Sequence, residues 1–86
     1  METYNMLTTK EVRKIMRKYG RDELYTNQVK DPNQRRVKCY APQDMTTYRA
    51  LIEELFQKAG EENVTETDGC GLGFGIPGIT VLCQKA

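Results

Sequence analysis

The 86-residue chain contains no histidine and no tryptophan, only three cysteines and three prolines, and no apolar run approaching the ~18 residues of a membrane span. Each shortage excludes something. Without histidine there is no Ser-His-Asp or Cys-His arrangement, and the commonest general acid-base group is missing. The neighbouring carboxylates Glu53-Glu54 and Glu61-Glu62 do not replace it, because adjacent residues on a helix point in different directions, and a solvated helix face accounts for them. The expectation is a non-enzymatic protein.

Cys39, Cys70 and Cys83 are odd in number and form no closely spaced pair, which argues against a disulfide scaffold. A structural zinc site needs four ligands, so neither metal nor other cofactor is expected. Cys39 and Cys83 lie in apolar, strand-like runs and read as small buried hydrophobes. Cys70 lies among glycines with Asp68 as its nearest charge, which would raise its pKa; an alternative reading as a thiol-dependent enzyme rests on this residue alone. The polar start METYN lacks the apolar stretch of a signal peptide, so a cytoplasmic location is expected.

What is present fits one domain spanning residues 1–86. A chain this short buries only about 60–65% of its unfolded surface, so its thin core is shared between one sheet and at most a pair of helices. Thr8 followed by Glu11 forms a capping box, Leu7 can staple to Val12, and Val12, Ile15, Met16 and Tyr19 repeat at helical spacing before Gly20. A helix over residues 9–19 follows. A second helix starts at Asp44, carries Met45, Tyr48, Leu51, Ile52, Leu55, Phe56 and Ala59 on one stripe, and stops at Gly60.

Residues 23–30 and 35–41 flank Asp31-Pro32-Asn33-Gln34, a turn sequence, and read as a hairpin. Proline cannot adopt the positive φ of a type I′ turn, so the favoured register is a three-residue loop pairing Val29 with Val37. That register puts Tyr25, Val29, Val37 and Cys39 on one face and Lys30, Arg36, Lys38 and Tyr40 on the other. Residues 63–67 and 79–83 read as two further strands, the latter β-branched and apolar enough to be an inner one. The expected fold is α+β, two-layer, in the order αββαββ, with two helices on one face of a small, mainly antiparallel sheet. Its core comprises Val12, Ile15, Met16 and Tyr19 of the first helix and Tyr48, Leu51, Ile52, Leu55 and Phe56 of the second, with Val37 and Val81.

Gly73-Phe-Gly-Ile-Pro-Gly78 formally matches G-x-G-x-x-G, but the dinucleotide fingerprint must follow a strand and open a helix, and here a strand follows. The glycines read as an adaptable connection between antiparallel strands. Leu72, Phe74 and Ile76 alternate with them, either packing on the core or pressing into a partner.

Charge is the most informative feature. Residues 1–40 carry ten Lys and Arg against five Asp and Glu, whereas residues 41–86 carry three against seven, so the near-neutral total conceals a dipolar chain. Lys10, Arg13, Lys14, Arg17 and Lys18 form a cationic stripe on the first helix, and Lys30, Arg35, Arg36, Lys38 and Tyr40 a basic hairpin surface. Together they suggest an anionic macromolecular partner. In the expected register Lys30 opposes Arg36, a destabilising pair that a partner would neutralise. Tyr40 suits base stacking, although Arg36-Val-Lys-Cys-Tyr40 does not match the RNP1 pattern.

The favoured expectation is a small binding protein acting as inhibitor or accessory factor of a nucleic-acid-handling machine. Phages and mobile elements encode short single-domain proteins of this kind, and the likeness to anti-CRISPR proteins is one of size and lack of catalytic groups alone. A direct, weakly specific nucleic-acid binder is the alternative; an acidic second half would repel a long polyanion.

Overall fold

The computed structural model describes residues 6–67 and 77–85. Chain order is α1 (Thr9–Lys18), β1 (Leu24–Gln28), β2 (Gln34–Tyr40), α2 (Met45–Ala59), a single 3-10 turn (Glu61–Asn63), β3 (Val64–Thr67) and β4 (Gly78–Gln84). The αββαββ order expected from the sequence is the one observed. All three strand pairings are antiparallel, in the sheet order β1-β2-β4-β3, so two hairpins join along β2 and β4.

Local chemistry sets the helix ends. Thr8 Oγ1 accepts from the Glu11 backbone N–H at 3.2 Å while a Glu11 carboxylate oxygen accepts from the Thr8 N–H at 2.9 Å, completing the capping box of α1. Asp44 caps α2 by accepting from the Thr47 N–H at 2.9 Å and its hydroxyl at 2.8 Å, which holds the Asp44 carboxyl below its usual pKa. Gly60 ends α2 at φ +92°, a conformation that side chains disfavour.

Both helices bury their apolar stripes against the same sheet face. Val12, Ile15 and Met16 of α1 and Leu51, Ile52, Leu55 and Ala59 of α2 form one cluster with Val37, Cys39, Val64, Ile79, Val81 and Cys83. Every one of these strand residues lies on one side of the sheet, because Val37 and Val64 both face Val81, and Cys39 faces Ile79. Tyr19, Tyr48 and Phe56, expected in the core, are only partly buried and pack on its rim. Cys39 and Cys83 are buried free thiols, and burial pushes each up to about 11.

The hairpin register differs from the expected one by three residues: Val37 faces Thr26, not Val29, and Arg36 faces Asn27, not Lys30. The turn explains the shift. Asp31 accepts from the Asn33 N–H at 2.8 Å and, through its carbonyl, from the Gln34 N–H at 3.1 Å; β1 has already ended at Gln28. Six residues therefore connect the last cross-strand pair, Gln28 with Arg35. An odd shift exchanges the faces of the moving strand, so Leu24 and Thr26 turn toward the helices and Tyr25 turns outward.

Candidate functional site

Among the described residues, the sheet has one face covered by helices and one without a helix on it. Reading across β1-β2-β4-β3, the open face carries the row Tyr25, Lys38, Thr80, Thr65 and, beside it, the row Asn27, Arg36, Leu82. Tyr40 extends it at one end opposite Gly78, which has no side chain to flank the ring. Tyr25 and Tyr40 meet edge to face with centroids 6.3 Å apart, and Tyr25 is 38% exposed. Burial, Glu23 and Tyr40 together raise the Tyr25 pKa, so its hydroxyl stays neutral across the physiological range.

The described outward positions within these strands include Arg36 and Lys38 and no carboxylate; Glu23 stands just ahead of β1 at the rim. Arg36 is exposed and Lys38 half-buried, and neither has an ion pair among the described residues. The described carboxylates of the acidic half lie elsewhere. Asp44, Glu53, Glu54, Glu61 and Glu62 belong to α2 and its flanks, and Glu66 shares the helix side of the sheet, where it accepts a hydrogen bond from the Tyr48 hydroxyl. The described carboxylates of the acidic half therefore lie off the sheet face that carries Arg36 and Lys38.

The ten basic-surface residues inferred from the sequence do not form one surface. Arg36, Lys38 and Tyr40 share the open sheet face. The α1 cations are in the opposite layer: Lys10, Lys14 and Arg17 are exposed, Arg13 donates to the Thr26 hydroxyl, and Lys18 pairs with Glu54 at 3.0 Å. Lys30 is exposed in the hairpin connection and faces no cation across the ladder. Arg35 shares the helix side with Cys83, its guanidinium donating to the carbonyls of Pro32 at 3.0 Å and Gln34 at 2.6 Å. The like-charge opposition expected at Lys30 is thus absent, and Arg35 serves the turn. Leu72, Phe74, Ile76 and Cys70 lie outside the described residues.

Between the helices, Glu54 gathers three donors: the Tyr19 hydroxyl at 2.6 Å, Lys18 at 3.0 Å and Lys58 at 2.9 Å. They hold its carboxyl at about 2, with the Tyr19 hydrogen bond the largest contribution. This cluster fastens α1 to α2 and leaves the Glu54 side chain only 12% exposed, so it reads as structural.

Sequence reasoning missed Tyr25, because the expected register placed it on the same face as Val37 and Cys39, and Arg21, which follows the cap of α1 and belongs to neither cationic run. Arg21 lines two adjoining concavities of about 930 and 350 Å³ at the Tyr40 end of the sheet. Among the described residues no group of three or more His, Cys, Asp and Glu is placed to hold a metal, and no helix is long and apolar enough to cross a membrane. In comparisons with known proteins, no family model, no curated protein and no solved structure matches this chain.

Proposed function

We propose that this is a non-enzymatic binding protein whose open sheet face takes up single-stranded nucleic acid with little sequence preference. One observation carries the reading: two tyrosine rings and two cations without an ion pair among the described residues share a face whose described strand positions hold no carboxylate. Bases of any identity stack on aromatic rings, and flanking cations neutralise the phosphates between them. This combination favours the direct binder over the docking factor that the chain's overall charge division suggests.

The test is fluorescence anisotropy of a labelled single-stranded oligonucleotide over a salt series. Affinity should fall with salt at a slope of about 0.7 per neutralised phosphate, and a duplex of the same sequence should bind less tightly. Absence of binding at low salt sinks the proposal.

A second reading rests on a different observation. Lys10, Lys14 and Arg17 are exposed on the outer side of α1, with no ion pair among the described residues. This stripe suits an acidic protein surface, and through it the protein would act as an inhibitor or accessory factor of a nucleic-acid-handling machine. Nuclease-resistant capture of a protein partner, lost on reversing the α1 charges and kept on reversing those of the sheet, would favour it.

A further inference from the structure

Among the described residues, Arg21 Nε is the sole buried side-chain nitrogen or oxygen without a hydrogen-bond partner. The Arg21 guanidinium forms no ion pair with them either. Its backbone is well fixed: the Arg21 N–H donates to the Met16 carbonyl at 3.0 Å, and Gly20 just before it takes φ +83°. The described residues therefore hold a charged donor in a half-buried place and offer its Nε no acceptor, although a buried donor lacking an acceptor is costly and such groups in native proteins call for a specific explanation.

The surroundings supply one. The larger concavity beside Arg21 is walled by Tyr19, Tyr40 and Tyr48. Two of these rings are anchored through their hydroxyls, Tyr19 to Glu54 and Tyr48 to Glu66, so the walls are held in place before any ligand arrives. Asp44 also lines the concavity, but its carboxylate is occupied by the Thr47 N–H and hydroxyl at the cap of α2. Tyr40 belongs both to this concavity and to the open sheet face.

We propose that Arg21 binds the phosphate of a nucleotide whose base lies against these tyrosine rings. A guanidinium presents a planar fork of donors that matches a phosphate in two parallel hydrogen bonds, and a phosphate oxygen gives Nε the acceptor that the described residues do not supply. Aromatic walls select a planar base over an aliphatic anion. The choice of a nucleotide rests on the sheet-face reading above, which this site extends beyond the end of β2.

The probes are uridine 5′-monophosphate and uridine, titrated into ¹⁵N-labelled protein while the arginine Nε–H resonances are followed by NMR. The monophosphate should move the Arg21 Nε–H signal and the Tyr40 amide, and should bind roughly tenfold or more tighter than the nucleoside, as expected for a charge-assisted hydrogen-bonded pair. Arg21→Gln should abolish that preference; Arg21→Lys, which keeps the charge and loses the fork, should retain only part of it and controls for loss of fold. Equal response to both probes, or a phosphate preference that survives in Arg21→Gln, overturns the proposal. Oligonucleotide binding without monophosphate binding overturns this site and leaves the sheet face standing, whereas monophosphate binding without oligonucleotide binding supports the site and overturns the sheet face.

Discussion

Tyr25 stands directly opposite Lys38 in the β1-β2 ladder, with its ring edge-on to Tyr40 at 6.3 Å. A cation thus stands across the ladder from one of two neighbouring rings, on a sheet face that the helices leave open. If bases stack on these rings, the ring matters and the hydroxyl does not. Tyr25→Ala and Tyr40→Ala should each weaken oligonucleotide binding roughly five- to a hundredfold, while Tyr25→Phe stays near the parent. Anisotropy titrations of the three variants check this, and equal losses in Tyr25→Phe and Tyr25→Ala would show that the hydroxyl, not stacking, carries the contact.

The covered face answers to different chemistry. Leu55 is fully buried and Ile52 nearly so, both in the cluster that joins α2 to the sheet. Leu55→Ala and Ile52→Ala should each cost about 2–5 kcal/mol, a large share of the stability of a domain this size. Urea unfolding midpoints that stay near the parent value in both variants would contradict this packing.

Helices were the most legible part of the chain because their signals are local. A capping box at Thr8 and Glu11, an N-cap at Asp44 and a glycine stop at Gly60 each act within one turn, and each is found where the sequence puts it. The hairpin register was less legible, since it depends on how the connection closes and on which residues β2 must present to β4; alternation alone fits Tyr25 or Leu24 facing inward. That one shift concealed the site. It put Tyr25 on the face of Val37, set Lys30 against Arg36, and left the open face with one aromatic residue where the structure has two. Arg21 was illegible for another reason: its significance is that Nε has no partner among the described residues, which no local pattern encodes.

Glu54 provides a pH signature. Its carboxyl titrates at about 2 in the folded protein against a usual value of 4.5, so the folded state favours the ionised form. Its contribution to stability is therefore complete above about pH 4.5 and is lost as pH falls from there toward 2. Stability measured for the parent and for Glu54→Gln should differ most at neutral pH and converge through this acid window. A difference that stays constant from pH 6 to pH 3 would contradict the assignment of Tyr19, Lys18 and Lys58 as its partners.

Cys39 and Cys83 are buried, with thiols pushed up to about 11, and both the inaccessibility and the scarcity of thiolate protect them. Iodoacetamide at about pH 8 should leave both unmodified in the folded protein and label both once urea unfolds it. Peptide mapping by mass spectrometry separates the two states, and rapid native labelling of either residue would contradict its place in the core.

The central claim is that the open sheet face, rather than the cationic side of α1, meets nucleic acid. Paired charge reversals measure it most directly: Arg36→Glu with Lys38→Glu on the sheet, against Lys10→Glu with Lys14→Glu on the helix, each titrated with the same labelled single strand at fixed low salt. The account predicts that the sheet pair abolishes binding while the helix pair changes affinity only a fewfold through long-range attraction, which salt screens within about 10 Å at 0.1 M. Binding abolished by the helix pair and retained by the sheet pair would contradict it.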